Sequence, residues 1–251
     1  MENMENMENI IEFDKVSKSF GKVSVIKNAT FSIKRNAICG FIGPNGAGKT
    51  TIIKLLLGII PISEGKISIM GGSDEKSKDK FLRSIGAIVS GPSYYGNLNA
   101  YQNMKVVSNM KNVELTDKRI DDYLKLVGLN YTGKKKVKHF SMGMKQRLSI
   151  AFSLIGDPQF LIWDEPINGL DPEGIVEIRN LILHLQQTRK VTFLISSHIL
   201  SELDKIADQI ILINDGSILY NGTADDLLKK YGCSSLEEAY MKCTQRIGVS
   251  I

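Results

Sequence analysis

The stretch Gly43-Pro44-Asn45-Gly46-Ala47-Gly48-Lys49-Thr50-Thr51 sets glycines, one lysine and two hydroxyls in the spacing G-x-x-x-x-G-K-[ST]. Before it, Ala37 to Ile42 is a short apolar run of the kind a buried parallel strand needs. After it, Thr51 to Leu57 reads as an apolar helix that stops at Gly58. Strand, glycine loop and helix together point backbone N–H groups into one concavity that can cradle phosphate oxygens. Glycine suits the loop because side chains would block that approach and because the chain there visits positive φ. In such a loop Lys49 reaches the β- and γ-phosphates and the Thr50 hydroxyl ligates Mg²⁺.

A second group of residues has the matching chemistry. Phe160-Leu161-Ile162-Trp163 is apolar and ends in Asp164-Glu165-Pro166. A strand leaving the core there delivers Asp164 to the same Mg²⁺, and Glu165 can polarise an attacking water as a general base. Phe140-Ser141-Met142-Gly143-Met144-Lys145-Gln146-Arg147 opens a helix. Its serine and glycine offer a hydroxyl, backbone N–H groups and a positive dipole end to an anion. Ser196-Ser197-His198 follows a strand, from whose end the His198 imidazole can reach a γ-phosphate.

The elements that must position these groups alternate in type. Ile11–Asp14, Val23–Ile26 and Thr30–Ile33 read as strands, the first two flanking Ser19-Phe20-Gly21. Further strands are expected at 65–70 and 85–89, with a short helix near Phe81. From about Asn99 to Phe140 the pattern turns helical. Thr116 caps a segment with Ile120, Tyr123, Leu124 and Val127 on one face, closing at Gly128. Ser141 caps another that carries Leu148, Ala151, Phe152 and Ile155. Asp171-Pro172 begins a third, with proline at its first position. Val191–Ser196 is a strand, 201–207 a helix, and Ile210–Asn214 turns at Asp215-Gly216 onto Ser217–Tyr220 as a hairpin. Thr223 caps a final helix. Short parallel strands with intervening helices imply a sheet covered on both faces, with ligand at the carboxyl ends of its strands.

With 251 residues, 43% hydrophobic and 24% charged, the chain can bury a large core as one α/β domain or two closely joined lobes. No run approaches the length of a membrane span, so a membrane role is expected to be peripheral. The net charge of +5 sits largely in lysine clusters at 76–80 and 134–138. These lack the arginines and interleaved aromatics of a nucleic-acid patch and read as solvated loops, so no nucleic-acid partner is expected. Cys39, Cys233 and Cys243 are far apart without a CxxC, the usage of a reducing compartment. The opening threefold Met-Glu-Asn has neither the basic start nor the apolar centre of a signal peptide and reads as a disordered extension.

The order of these motifs, from the phosphate loop through Ser141–Arg147, Asp164-Glu165 and Gly169-Leu170-Asp171 to His198, resembles the ATP-binding subunit of an ABC transporter. The resemblance runs from Ile11 to about Thr244. It implies the ABC-type nucleotide-binding domain of the P-loop NTPases, an α/β fold with an antiparallel N-terminal subdomain and a helical insertion. The corresponding division is an extension at 1–9, a RecA-like core at 10–89 and 156–222, a helical signature subdomain at 90–155 and a short helical tail at 223–251. It further implies that Phe20 stacks on adenine, that Gly43–Thr51 is the Walker A loop, and that Asp164 and Glu165 are the Walker B aspartate and catalytic glutamate. Asp171 then belongs to the D-loop and His198 is the switch histidine. Cofactors implied are ATP and Mg²⁺. The implied partners are an integral membrane permease and a second copy of the chain. The copies meet head to tail under ATP, so that Ser141 and Gly143 of one cover the γ-phosphate held by the other. The implied location is the cytoplasmic face of the membrane.

Within the family, Phe140-Ser141-Met142-Gly143-Met144 replaces the usual Leu-Ser-Gly-Gly-Gln, and Ser90 stands where glutamine or glutamate is common. This signature and the stretch Ile85–Leu98 resemble the exporter branch of bacitracin resistance and lantibiotic self-immunity. Export of an antimicrobial peptide or drug is therefore expected. The alternative is a non-transport ABC ATPase or a low-turnover nucleotide-dependent regulator.

Overall fold

The computed structural model describes residues 9–73, 75–89, 93–197 and 199–245. The chain runs β1 (Asn9–Phe20), β2 (Val23–Lys34), β3 (Ile38–Ile42), α1 (Lys49–Leu56), β4 (Glu64–Ile69), α2 (Glu75–Arg83) and β5 (Ile85–Ile88). It continues with α3 (Ala100–Met110), α4 (Asp117–Leu126), α5 (Met142–Leu154), β6 (Phe160–Asp164) and α6 (Pro172–Arg189). Last come β7 (Thr192–Ser197), α7 (Leu200–Leu203), β8 (Gln209–Asn214), β9 (Ser217–Thr223), α8 (Ala224–Tyr231) and α9 (Leu236–Gln245). Two compact units form from this chain, one of Met1–Arg83 with Thr192–Ile251 and one of Ser84–Val191. The three Met-Glu-Asn repeats fall almost wholly outside the described residues; Asn9 already pairs with Lys34 in β1.

In the first unit β1 lies between β2 and β4, antiparallel to both. Here two long strands replace the three short ones expected. Lys15 and Asn28 adopt left-handed backbone (both φ 48°), and the β1–β2 register shifts between Phe13 and Lys18. Such bulges let a strand continue while its inward and outward residues change places, so the alternation breaks though the strand does not. Gly65 on β4 closes against one of them: a Cβ there would meet the Lys15 carbonyl at 2.3 Å. The unit's other strands are β7, β3 and β8, parallel in that order, with β9 antiparallel on β8. Every residue of β3 is buried, as a strand with neighbours on both edges requires. Phe13 stacks on Phe31 at 4.3 Å between centroids and Phe31 meets Phe41 at 6.2 Å, joining the two groups of strands through one core. The Gln209 amide fastens them at the edge, donating to Ser32 O (2.6 Å) and accepting from Lys34 N (3.1 Å). Helix α7 is shorter than expected: after four residues the chain goes on only in isolated turns, with Ile206 and Ala207 donating to Leu203 O.

The second unit packs α3 to α6 with the parallel pair β5–β6. Its helix starts follow cap chemistry. Asn99 forms a reciprocal capping box with Gln102, while Thr116, Ser141 and Asp171 each accept an amide of the first turn. Helix α5 lies directly on β5, because Gly86 has no side chain: a Cβ there would sit 1.9 Å from the Ser153 carbonyl. At the other end of α5, Lys111 Nζ donates to the Phe152 and Ile155 carbonyls (3.2 and 3.3 Å). Asp157, in left-handed backbone, gathers Arg119, Arg189 and the Tyr123 hydroxyl. Among the described residues no helix is long and apolar enough to cross a membrane.

Candidate functional site

The phosphate loop grows out of β3. Gly43, directly after the strand, has no room for a side chain: a Cβ would stand 2.3 Å from the Ile213 carbonyl. At Gly48, the N-cap of α1, φ is 110° and a Cβ would meet Ile26 Cδ1 at 2.6 Å. Gly46 also has positive φ but faces open space. Packing thus dictates both buried glycines, and at Gly48 the backbone conformation does so as well. Pro44, Asn45 and Gly46 are exposed, while Ala47 is buried and donates its amide to the Pro44 carbonyl (3.1 Å). Lys49 is buried, and its ammonium donates to the carbonyls of Gly43 (2.6 Å) and Pro44 (3.2 Å). The cation is thus held across the loop mouth by groups that phosphate oxygens can replace. Thr50 and Thr51 lie half-buried in the first turn of α1.

A later part of the chain props this loop. Asp215 (φ 44°) and Gly216 (φ 74°) make the two-residue turn between β8 and β9, a geometry that needs positive φ at both positions. Gly216 N donates to Ala47 O (3.0 Å), Lys27 N donates to Gly216 O (2.9 Å), and Lys27 pairs with Asp215 at 2.6 Å. Only the turn itself was readable from the sequence; its hold on the loop was not.

Phe20 ends β1 with half its surface exposed and Lys18 Nζ 4.9 Å from its ring centre. Lys18 pairs across the hairpin with Ile26, whose side chain packs on Gly48. The exposed ring therefore projects from the same hairpin that buttresses the loop.

In the second unit, β6 is buried along Phe160–Trp163 and surfaces at a half-buried Asp164. Glu165 follows in left-handed backbone (φ 53°). For a residue with a long side chain this conformation costs roughly 1–2 kcal/mol and turns the carboxylate out of the strand's alternation. Two turns carry the chain on, with Asn168 N donating to Glu165 O (3.3 Å) and Leu170 N to Ile167 O (3.2 Å). Asp171 then caps α6, its Oδ1 accepting Gly174 N at 3.0 Å.

Ser141 is exposed, and its Oγ accepts the Met144 amide (3.2 Å) at the start of α5. Gly143 packs against Leu170 and the Gly169 carbonyl. Ser141, Gly143 and Asp171 line one open cleft of about 610 Å³, together with Tyr131, Met144 and Arg147. Arg147 fixes its floor, pairing with Glu177 at 2.5 Å and donating to Val127 O at 3.3 Å. Each unit thus presents one part of the expected site: the loop and Phe20 in the first, Asp164, Glu165, Ser141, Gly143 and Asp171 in the second. His198 and Ser90 lie outside the described residues.

The residues present suit a nucleoside triphosphate: a glycine cradle that side chains would fill, a buried lysine across its mouth and a helix start behind it. Among the described residues no three His, Cys, Asp or Glu side chains cluster as a metal site.

Residues 26–168 match the ABC transporter family. The chain is 44% identical to the bacitracin transport ATP-binding protein BcrA of Bacillus licheniformis, across 89% of the chain and 73% of that protein. It is also 44% identical to the lantibiotic transport ATP-binding protein SrtF of Streptococcus pyogenes, across 92% of the chain and 96% of SrtF. A solved ATP binding subunit of an ABC transporter superposes with a TM-score of 0.84 at 28% identity, covering 94% of the chain and 99% of that structure. The dimeric cassette MJ0796, solved with ADP and Pi, shares the fold at 23% identity and a TM-score of 0.75, over 85% of the chain and 98% of its own. With the α/β fold and the phosphate loop already in place, this likeness along nearly the whole length makes the chain a member of the ABC transporter family, an ATP-binding subunit of the ATP-hydrolysing kind.

Proposed function

We propose that this subunit powers export of an antimicrobial peptide or drug through a separate membrane permease, at the cytoplasmic face of the membrane. The observation that carries this reading is the 44% identity to a lantibiotic transport ATP-binding protein over 92% of the chain. Two copies close head to tail on ATP, Ser141 and Gly143 of each covering the γ-phosphate in the other's loop. Lys49 contacts the β- and γ-phosphates, Phe20 carries the adenine, and Thr50 with Asp164 holds Mg²⁺, which when bound neutralises phosphate charge. Glu165 polarises the attacking water, His198 orients it beside the γ-phosphate, and Asp171 lies at the contact between copies. Most of the catalysis is positioning and charge stabilisation, as is general for phosphoryl transfer.

The test is to express the tagged subunit with its neighbouring genes and purify it from detergent-solubilised membranes. Recovery of a polytopic membrane protein that raises ATP turnover supports the reading. Recovery of ribosomal or nucleic-acid components alone overturns it and leaves the ATPase chemistry intact.

A further inference from the structure

Met142 is more than half exposed, yet its side chain is not idle: it lies across Gly169. A Cβ added to Gly169 would stand 2.6 Å from Met142 Cγ, 3.5 Å from its Cβ and 4.0 Å from its Cε. Gly169 also has φ 78°, so only glycine fits both the backbone and the thioether above it. One residue on, the Cα of Gly143 faces Leu170 closely enough that a Cβ would meet Leu170 Cδ2 at 3.3 Å. The first turn of α5 therefore grips residues 169 and 170 at two adjacent points.

Leu170 closes, and Gly169 lies within, the second of the two turns that follow Glu165. The Glu165 carbonyl accepts Asn168 N, and the Ile167 carbonyl accepts Leu170 N, at 3.3 and 3.2 Å. Such hydrogen bonds at a surface turn are weak alone, and the left-handed Glu165 persists only where its surroundings over-determine it. The apolar contact of Met142 with Gly169 adds a restraint from outside the loop. A methionine suits the task, since its unbranched side chain can follow small shifts of the helix end without losing contact.

We infer that Met142 is a positioning residue. It ties the helix end bearing Ser141 and Gly143 to the loop bearing Glu165, so that phosphate bound at the first sets the carboxylate at the second. This deepens, and rests on, the head-to-tail reading above. There Ser141 and Gly143 engage the second copy's nucleotide while Glu165 serves the chain's own, so Met142 links turnover at one site to occupancy of the other. Nothing in this role requires Met142 to touch nucleotide.

The full chain is compared with Met142→Gly, Met142→Leu, Gly169→Ala and the double variant Met142→Gly/Gly169→Ala. Thermal midpoints confirm folding. Removing the thioether is expected to speed exchange of the Asn168 and Leu170 amides at least about tenfold and to lower kcat by about tenfold, with KM for ATP held within about twofold. The Hill slope for ATP falls toward one, and Met142→Leu restores all of these. Gly169→Ala costs more with Met142 present than in the Met142→Gly background, because the left-handed strain is common to both backgrounds and cancels in the cycle. Unchanged amide exchange in Met142→Gly, or strictly additive effects in the cycle, overturns the inference. The head-to-tail reading has its own readout. A Glu165→Gln chain that stays monomeric with ATP removes the link between copies, while the exchange rates still decide whether Met142 holds the loop.

Discussion

Trp163 Nε1 donates to Ser153 Oγ at 3.0 Å, joining β6 to α5, and both side chains are fully buried. The strand that ends in Asp164 is thereby clipped to the helix that begins beside Ser141. Ser153 in turn donates to the Ile150 carbonyl at 2.7 Å, so the indole, the hydroxyl and the helix backbone form one closed relay. Ser153→Ala removes this buried acceptor of the indole N–H and should cost about 1–3 kcal/mol. Trp163 is the single tryptophan of the chain. A urea titration followed by its fluorescence should therefore show an earlier midpoint for the variant with an unchanged slope.

The two kinds of loop glycine separate in their expected effects. Gly43→Ala drives a Cβ against the Ile213 backbone and should weaken nucleotide binding at least about tenfold, or ~1.4 kcal/mol. Gly46→Ala meets open space and bears only left-handed strain, about 1–2 kcal/mol at an exposed turn, so its loss should be the smaller. Lys49→Ala should abolish binding. Titration with a fluorescent ATP analogue ranks the three, and a Gly46→Ala defect exceeding that of Gly43→Ala would contradict the packing argument.

Glu165→Gln keeps the shape of the side chain and removes its basicity. Binding of ATP should persist while steady-state phosphate release falls by about two orders of magnitude or more, within the range general bases contribute. Size-exclusion chromatography with ATP should then show an accumulating dimer. A variant that releases phosphate at the parent rate would remove Glu165 from the role of general base.

Cys39 lies in the centre of β3, and burial pushes its thiol well above the ordinary range. The thiolate is the nucleophile, so at neutral or mildly alkaline pH both inaccessibility and protonation protect it. Brief alkylation of the folded protein, read by peptide mass spectrometry, should label the half-buried Cys233 first and leave Cys39 unmodified until denaturant is added. ATP binding should survive that treatment.

What could be read in the residues was what local chemistry settles. Thr116, Ser141, Thr223 and Asp171 with Pro172 each mark a helix start by a side chain bonding within its own first turn, so a few residues suffice to see them. The turn at Asp215-Gly216 was visible for the same reason. Helix α2 was glimpsed only near Phe81, because the lysine-rich residues before it leave little apolar period to follow. Bulges at Lys15 and Asn28 hid the length of β1 and β2. In the site, residue types and spacing pointed to Lys49, Asp164 and Glu165, and the structure places Lys49 on the loop carbonyls and Glu165 in a left-handed turn. The contacts Gly216–Ala47, Trp163–Ser153 and Met142–Gly169 were invisible. They join positions that only the folded backbone brings together, and neither partner's type announces the other.

The Asp215–Gly216 turn also sets an order of assembly. Ala47 and its support are 169 positions apart, since 216 less 47 is 169. Closing so long a chain loop is slow, and its reward arrives only once the late hairpin exists. On a ribosome the glycine loop emerges early but cannot settle until β8 and β9 have followed and taken their places. A nascent chain halted before Asp215 should therefore hold nucleotide poorly although every loop residue has been made. Competence to bind ATP thus becomes a late checkpoint of synthesis, reached only after the segment joining the two halves of the first unit has also been made.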